Sequence, residues 1–146
     1  MRWILAALFM LVLAPAWSQD VKEKPLDYKT AFHRAKEGDK PLLVLITADW
    51  CGPCQILKSK ALPDLKTKGA FNRFHFATID YDHEPALAQN LIGDRGIPQF
   101  ILFEKQDEKW SRRFLVGAQT AAEIEEFLGG PAVLVAENLE SEGSNK

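Results

Sequence analysis

Residues 47–58 read TADWCGPCQILK and hold both cysteines of a 146-residue chain. Two thiols separated only by Gly52 and Pro53 can act as a staple, supply half of a metal site, or exchange electrons with another disulfide. As a staple the pair does little, because closing so short a loop removes little entropy from the unfolded chain. A structural zinc site asks for four protein ligands, and only His33, His75 and His83 could complete the cysteine pair. His33 and His75 read as ordinary surface or satisfied core residues. Soft thiolates suit Cu(I) better. The alternative to redox chemistry is therefore a binding module that holds a metal such as Cu(I), or a client protein, without turnover.

The flanks of this stretch favour chemistry. LLVLIT, residues 42–47, follows Pro41 and is a short unbroken apolar run, as expected of a strand covered on both faces. Gln55 to Leu62 is helix-forming; Pro63 should end or bend that helix, and DLKTKGAF (64–71) should continue as a second short helical piece. Cys51 then sits between a strand end and a helix head, where free backbone N–H groups and the helix dipole favour an anion. We expect Cys51 to be an exposed thiol with a lowered pKa. Cys54, one helical turn deeper, should be shielded yet within reach of the Cys51 sulfur. Pro53 lacks an N–H that a first helical turn would leave unpaired, and Gly52 permits close approach of another chain.

The remaining elements set the fold class. Leu26 to Lys40 places Tyr28, Phe32 and Ala35 at helical spacing and stops at Gly38. FHFATID (74–80) reads as a buried strand, and EPALAQNLI (84–92) as a helix with Pro85 in its first turn. After Gly96-Ile97-Pro98, QFILFE and WSRRFLV form two strands joined by a turn at QDEK, of which Arg112-Arg113 should present one exposed and one partly covered charge. Trp110, Phe114 and Phe127 read as core or strand-face residues. Thr120 with Glu123 is a capping box ahead of a last helix that ends at Gly129-Gly130. Parallel units followed by a hairpin and a helix predict an α/β fold, a central mixed β-sheet flanked by helices on both faces. Ligand chemistry in such sheets lies at the carboxyl ends of strands, which is where the cysteines fall.

The amino terminus is read separately. MRWILAALFMLVLAPAWS has a charge at Arg2, an apolar run too short to span a bilayer comfortably, and small residues at Ala16 and Ser18. Residues 1–18 are thus expected to be a cleaved signal peptide, 19–130 a single domain, and 131–146 a tail whose polar end is disordered, although Val133 to Val135 could pack on the body. The expected product is exported, periplasmic and soluble, with no stable membrane insertion. Removing Arg2 leaves 17 basic residues against 20 acidic ones, scattered along the chain, and gives no footprint for nucleic acid.

WCGPC at 50–54 together with GIP at 96–98 resembles the thioredoxin superfamily, over roughly Leu26 to Leu128. The lead-in AFHRAKEGDKPLLVLITADWCGPC is similar to the exported thioredoxin-like domains of bacterial envelopes, including the carboxy-terminal domain of DsbD. The resemblance implies a thioredoxin fold and a thiol–disulfide oxidoreductase that reduces protein disulfides without a bound cofactor. Cys51 would be the nucleophile and Cys54 the resolving thiol. Ile97-Pro98 would be a cis peptide facing them, with Ile97 pairing to substrate, while Gly117 and Trp50 would line the same groove. A periplasmic reductase would need electrons from a membrane donor, expected to be of the DsbD type, and the expected state is a monomer. The sequence departs from the family at Leu45 and Phe76, where thioredoxin has a buried acid and its lysine partner, and Asp49 and Asp80 are the candidates to replace them. Gln55 stands where a basic residue often follows the second cysteine, and no proline lies five residues beyond Cys54.

Overall fold

A computed structural model describes residues 24–38 and 40–129; the expected signal peptide and tail lie outside the described residues. Their elements run α1 (Tyr28–Glu37), β1 (Leu42–Thr47), α2 (Gly52–Ile56), a π-helical turn (Leu57–Ala61), α3 (Leu62–Thr67), β2 (His75–Asp80), α4 (Pro85–Ile92), β3 (Gln99–Gln106), β4 (Lys109–Val116) and α5 (Ala121–Gly129). The strands form one sheet in the order β2-β1-β3-β4, with β1 parallel to β2 and both β1·β3 and β3·β4 antiparallel. The mixed sheet expected from the element order is present.

Helices cover both faces, and this explains the unbroken apolar run of β1, all six of whose residues are buried. Leu43, Leu45, Phe76, Phe100 and Leu102 pack against Leu57, Leu62 and Leu65 of the helical run and Ile124 and Leu128 of α5. Val44, Ile46, Ala77, Ile79, Ile101 and Phe103 face Ala31 and Ala35 of α1 and Ala88 and Ile92 of α4. Each large side chain so buried contributes about 1.5–3 kcal/mol. One pairing was not legible in the periodicity: Leu26 bridges Ala77 in parallel, its N–H donating to Phe76 O at 2.9 Å, so the chain entering α1 lies along the β2 edge.

Local chemistry sets the boundaries. Asp27 caps α1 by accepting from Thr30 N at 2.9 Å. Gly38 closes α1 at φ −106°, an ordinary conformation, and glycine is needed there for space, because an added Cβ would lie 2.8 Å from the Arg34 carbonyl oxygen. The expected break at Pro63 takes another form. Pro63 cannot donate, and its ring crowds the carbonyl four residues earlier. The helix widens into a π turn just before it, with Leu62 N–H reaching back to Leu57 O, and Pro63 then occupies the first turn of α3. The second helical piece is shorter than expected: α3 ends at Thr67, and Gly69, at φ +68°, turns the chain away.

The β3–β4 hairpin turns on Asp107 and Glu108, both at positive φ, the backbone demanded by a tight two-residue hairpin turn. The capping box forms as read, with Thr120 N donating to Glu123 Oε2 at 2.7 Å and Glu123 N to Thr120 Oγ1 at 3.3 Å. At the other end of α5, Arg73 donates to Leu128 O and Arg113 Nη1 donates to Phe127 O at 2.7 Å, so two guanidiniums satisfy terminal carbonyls. This corrects the reading of Arg112-Arg113: Arg112 is half-buried, and Arg113 is buried rather than partly covered, because Glu104 Oε2 pairs with its Nε at 3.2 Å.

Candidate active site

β1 ends at Thr47 and delivers Ala48 and the Asp49-Trp50 turn to the carboxyl edge of the sheet. Cys51 follows as the N-cap of α2, in extended conformation, and its sulfur accepts from Cys54 N–H at 3.2 Å. A sulfur therefore does what Ser or Asp oxygens do at other helix starts. Pro53 falls in the first turn, where its missing N–H costs nothing. Cys51 and Cys54 are joined by a disulfide.

The expectation of an exposed Cys51 needs correction. It is 5% exposed and Cys54 is fully buried. Both pack with Ala48 beneath the half-buried side chains of Tyr81 and Ile97. Ile97 O lies 3.8 Å from the Cys51 sulfur, a contact without a proton to share while the sulfur is oxidised. The approach to the disulfide lies beside Ile97, whose carbonyl oxygen faces the Cys51 sulfur.

The structure brings the other sequence-selected residues to that approach. Ile97-Pro98 is a cis peptide, and Gly117, at φ +94°, donates its N–H to Pro98 O at 2.8 Å. Trp50 is 66% exposed, and Gly52 and Pro53 are exposed beside it. A Cβ added at Gly52 would meet nothing within 4 Å, so its openness serves the exterior. Ile56 on α2 and Val116 at the end of β4 are also exposed.

Two neighbours were missed. Tyr81 and Asp82, just beyond β2, hold Trp50 between them: the Tyr81 ring meets the indole edge-on with centroids 6.4 Å apart, and Asp82 Oδ1 accepts from the indole N–H at 3.1 Å. Tyr81 continues the alternation Ala77, Ile79. That period-two signal could have placed it on the inner face.

Neither proposed acid lies free under the cysteines. Asp49 is exposed and pairs with Lys58 at 3.2 Å, while Asp80 accepts from Asp82 N and His83 N and thereby shapes the β2–α4 turn. Leu45 and Phe76 are buried in the apolar layer against the helical run. His33 pairs with Glu37, and His83 lies beside Asp80. Among the described residues no group of three or more His, Cys, Asp or Glu converges as a metal site.

Known proteins bear on this geometry. The thioredoxin family model matches residues 24–129. The chain is 35% identical over 82 residues to "Thioredoxin Asp f 29" of Aspergillus fumigatus, an alignment covering 56% of this chain and 73% of that one. It is 36% identical over 93 residues to the chloroplastic thioredoxin M4 of Arabidopsis thaliana, covering 63% of this chain and about half of that one (47%). Among solved structures, a Thermus thermophilus thioredoxin superposes with a TM-score of 0.60 at 23% identity, covering 70% of this chain and 81% of that one. The C-terminal domain of Neisseria meningitidis DsbD, in its oxidised form, superposes with a TM-score of 0.51 at 26% identity, covering 68% and 87%. The chain belongs to the thioredoxin family, and its Cys51–Cys54 pair makes it a thiol–disulfide oxidoreductase.

Proposed function

We propose that this chain is an exported, periplasmic reductase of protein disulfides, with Cys51 as attacking thiol and Cys54 as resolving thiol. The observation that carries this reading is the asymmetry of the pair: Cys51 sits at the helix head with a backbone N–H aimed at its sulfur, and Cys54 lies fully buried one turn behind it. In the reduced protein the helix terminus and that N–H favour the Cys51 thiolate, the attacking species. The thiolate displaces one sulfur of a substrate disulfide to form a mixed disulfide. Cys54 then attacks Cys51, re-forms the internal disulfide and releases the substrate as dithiol.

Trp50, Gly52, Pro53, Ile97, Pro98 and Gly117 form the substrate groove in this reading. Trp50, Gly52 and Pro53 are exposed, Ile97 and Gly117 half-buried and Pro98 buried behind them, a surface that suits a loosely structured chain carrying its own disulfide. Gly-Pro between the cysteines resembles the reducing members of the family. A periplasmic reductase needs electrons from a membrane donor, and the likeness to the DsbD C-terminal domain supports a donor of that type. The protein works as a monomer, with no bound cofactor.

The test is reduction of insulin disulfides with dithiothreitol as electron source, followed by turbidity. Wild type accelerates precipitation and Cys51→Ser does not; equal behaviour would remove the catalytic reading. The potential of the Cys51/Cys54 couple decides direction: a value near thioredoxin's roughly −270 mV supports reduction, and one near the roughly −120 mV of DsbA overturns it.

A further inference from the structure

Gln99 is the anomaly of the core. It is fully buried at the start of β3, directly after cis-Pro98, and neither its side-chain oxygen nor its nitrogen has a hydrogen-bond partner. Buried amides are almost always paired, so an orphan asks for a reason.

Its place in the sheet supplies one. Gln99 lies opposite Ile46 on β1, and Ile46 lies opposite Ile79 on β2. By the two-residue alternation of strands it shares a face with Ile101, on the side of the sheet packed by α1 and α4. Ala48 and Tyr81, two residues beyond Ile46 and Ile79, and Ile97, just ahead of the cis bond to Pro98, form one cluster with Cys51 and Cys54. Ile46, opposite Gln99, precedes Ala48 by two residues, a rise of roughly 7 Å that an extended glutamine side chain and one water bridging hydrogen bonds of about 2.9 Å can span.

We propose that Gln99 is a positioning residue for the resolving step: its amide holds an internal water that takes the proton from the Cys54 thiol. This rests on the reading of Cys54 as the resolving thiol. Cys54 is fully buried and must lose its proton before it attacks, yet bulk solvent does not reach it. Buried polar side chains among the described residues are confined to Thr47, Gln99 and Arg113, and Arg113 is engaged at α5. Thr47 alternates with Leu45 onto the opposite face. In the step, the Cys54 proton passes to the water held by Gln99 and on to solvent. The Cys54 thiolate bonds to the Cys51 sulfur, and the bond from Cys51 to the substrate sulfur breaks with its electron pair leaving on the substrate thiolate.

The test uses reduced protein and excess dithiobis(nitrobenzoate) under stopped flow. Attack by Cys51 releases one nitrothiolate, and resolution by Cys54 releases a second. Gln99→Leu should leave the first phase unchanged and slow the second by about tenfold or more. Its melting temperature should hold or rise, since an unpaired buried amide is removed. Gln99→Met, closer in length, repeats the measurement should the leucine variant fail to fold. A second phase as fast as wild type in the folded variant overturns the proposal, as does slowing by Thr47→Val alone. A wild type without any second phase overturns the resolving role of Cys54 itself.

Discussion

The indole N–H of Trp50 donates to Asp82 Oδ1 at 3.1 Å, tying the residue before Cys51 to the loop after β2. A side chain that is two-thirds exposed would otherwise sample several rotamers over the groove. Removing the acceptor by Asp82→Ala costs on the order of 1 kcal/mol of positioning. KM for a protein disulfide should rise about fivefold with kcat little changed, and the tryptophan emission of the oxidised protein should shift toward that of a solvated indole. Asp82→Asn keeps an acceptor and should recover most of the effect. An unchanged KM in Asp82→Ala would mean that the indole takes no part in substrate docking.

The burial difference between the two sulfurs predicts which variant traps substrate. Cys54→Ser removes the resolving thiol and leaves the attacker, so incubation with a disulfide-containing protein should accumulate a covalent adduct visible on non-reducing gels and lost with dithiothreitol. Cys51→Ser should form none, because the remaining thiol is fully buried. Adducts of equal yield from both variants would make the assignment of roles untenable. A metal-holding module predicts something else: Cu(I) retained after desalting and lost on Cys54→Ser.

Much of this site was legible because its signals are local. Cys-Gly-Pro-Cys after a doubly covered strand places a thiol at a helix head by chain geometry alone, and Ile97-Pro98 joined it through the resemblance. What escaped depends on pairings distant in sequence. Asp82 meets Trp50 across 32 residues. Gln99 looks like a tolerable polar residue at a strand start until the register puts it between Ile46 and Val116. Pro63 was recognised as a helix problem, but its solution by a π turn depends on how Leu57, Leu62 and Leu65 must all reach one core. Arg113 looked half-solvated because its partners, Glu104 and the end of α5, are settled by tertiary packing.

Arg113 gives a stability prediction. Its guanidinium is buried, pairs with Glu104, caps Phe127 O and lies over the Phe127 ring at 5.1 Å. Arg113→Leu leaves the partly exposed Glu104 carboxylate and a helix carbonyl without their partner, a loss of about 1–3 kcal/mol. The melting temperature should fall on the order of 10 °C. Arg113→Lys keeps the charge but not the planar fork and should recover less than half. A drop of only a degree or two would show that the pair contributes little to this fold.

Gly38 offers a test of space rather than backbone angle. Its φ of −106° suits any residue, yet a Cβ would lie 2.8 Å from the Arg34 carbonyl oxygen. Gly38→Ala should therefore destabilise, by about 1–3 kcal/mol of overpacking, even though alanine removes unfolded-state entropy. Denaturant midpoints would show it, and a stabilised alanine variant would mean that the end of α1 shifts readily to admit a Cβ.

The helix caps predict the acid limb of stability. Glu123 is held below the usual carboxylate range, first by the Thr120 backbone N–H and then by the Thr120 hydroxyl, and Asp27 likewise by the backbone and side chain of Thr30. A depressed folded-state pKa means the unfolded chain binds protons first as pH falls. The stabilisation is therefore complete above the unfolded carboxylate value of roughly pH 4 and disappears as pH drops through the folded values below it. Asp27→Asn keeps a good N-cap without the titration, and Glu123→Gln keeps the capping-box shape. The double variant should lose stability less steeply than wild type between roughly pH 4.5 and 3, while remaining close to it at neutral pH. Parallel curves through that window would place the acid sensitivity on other carboxylates.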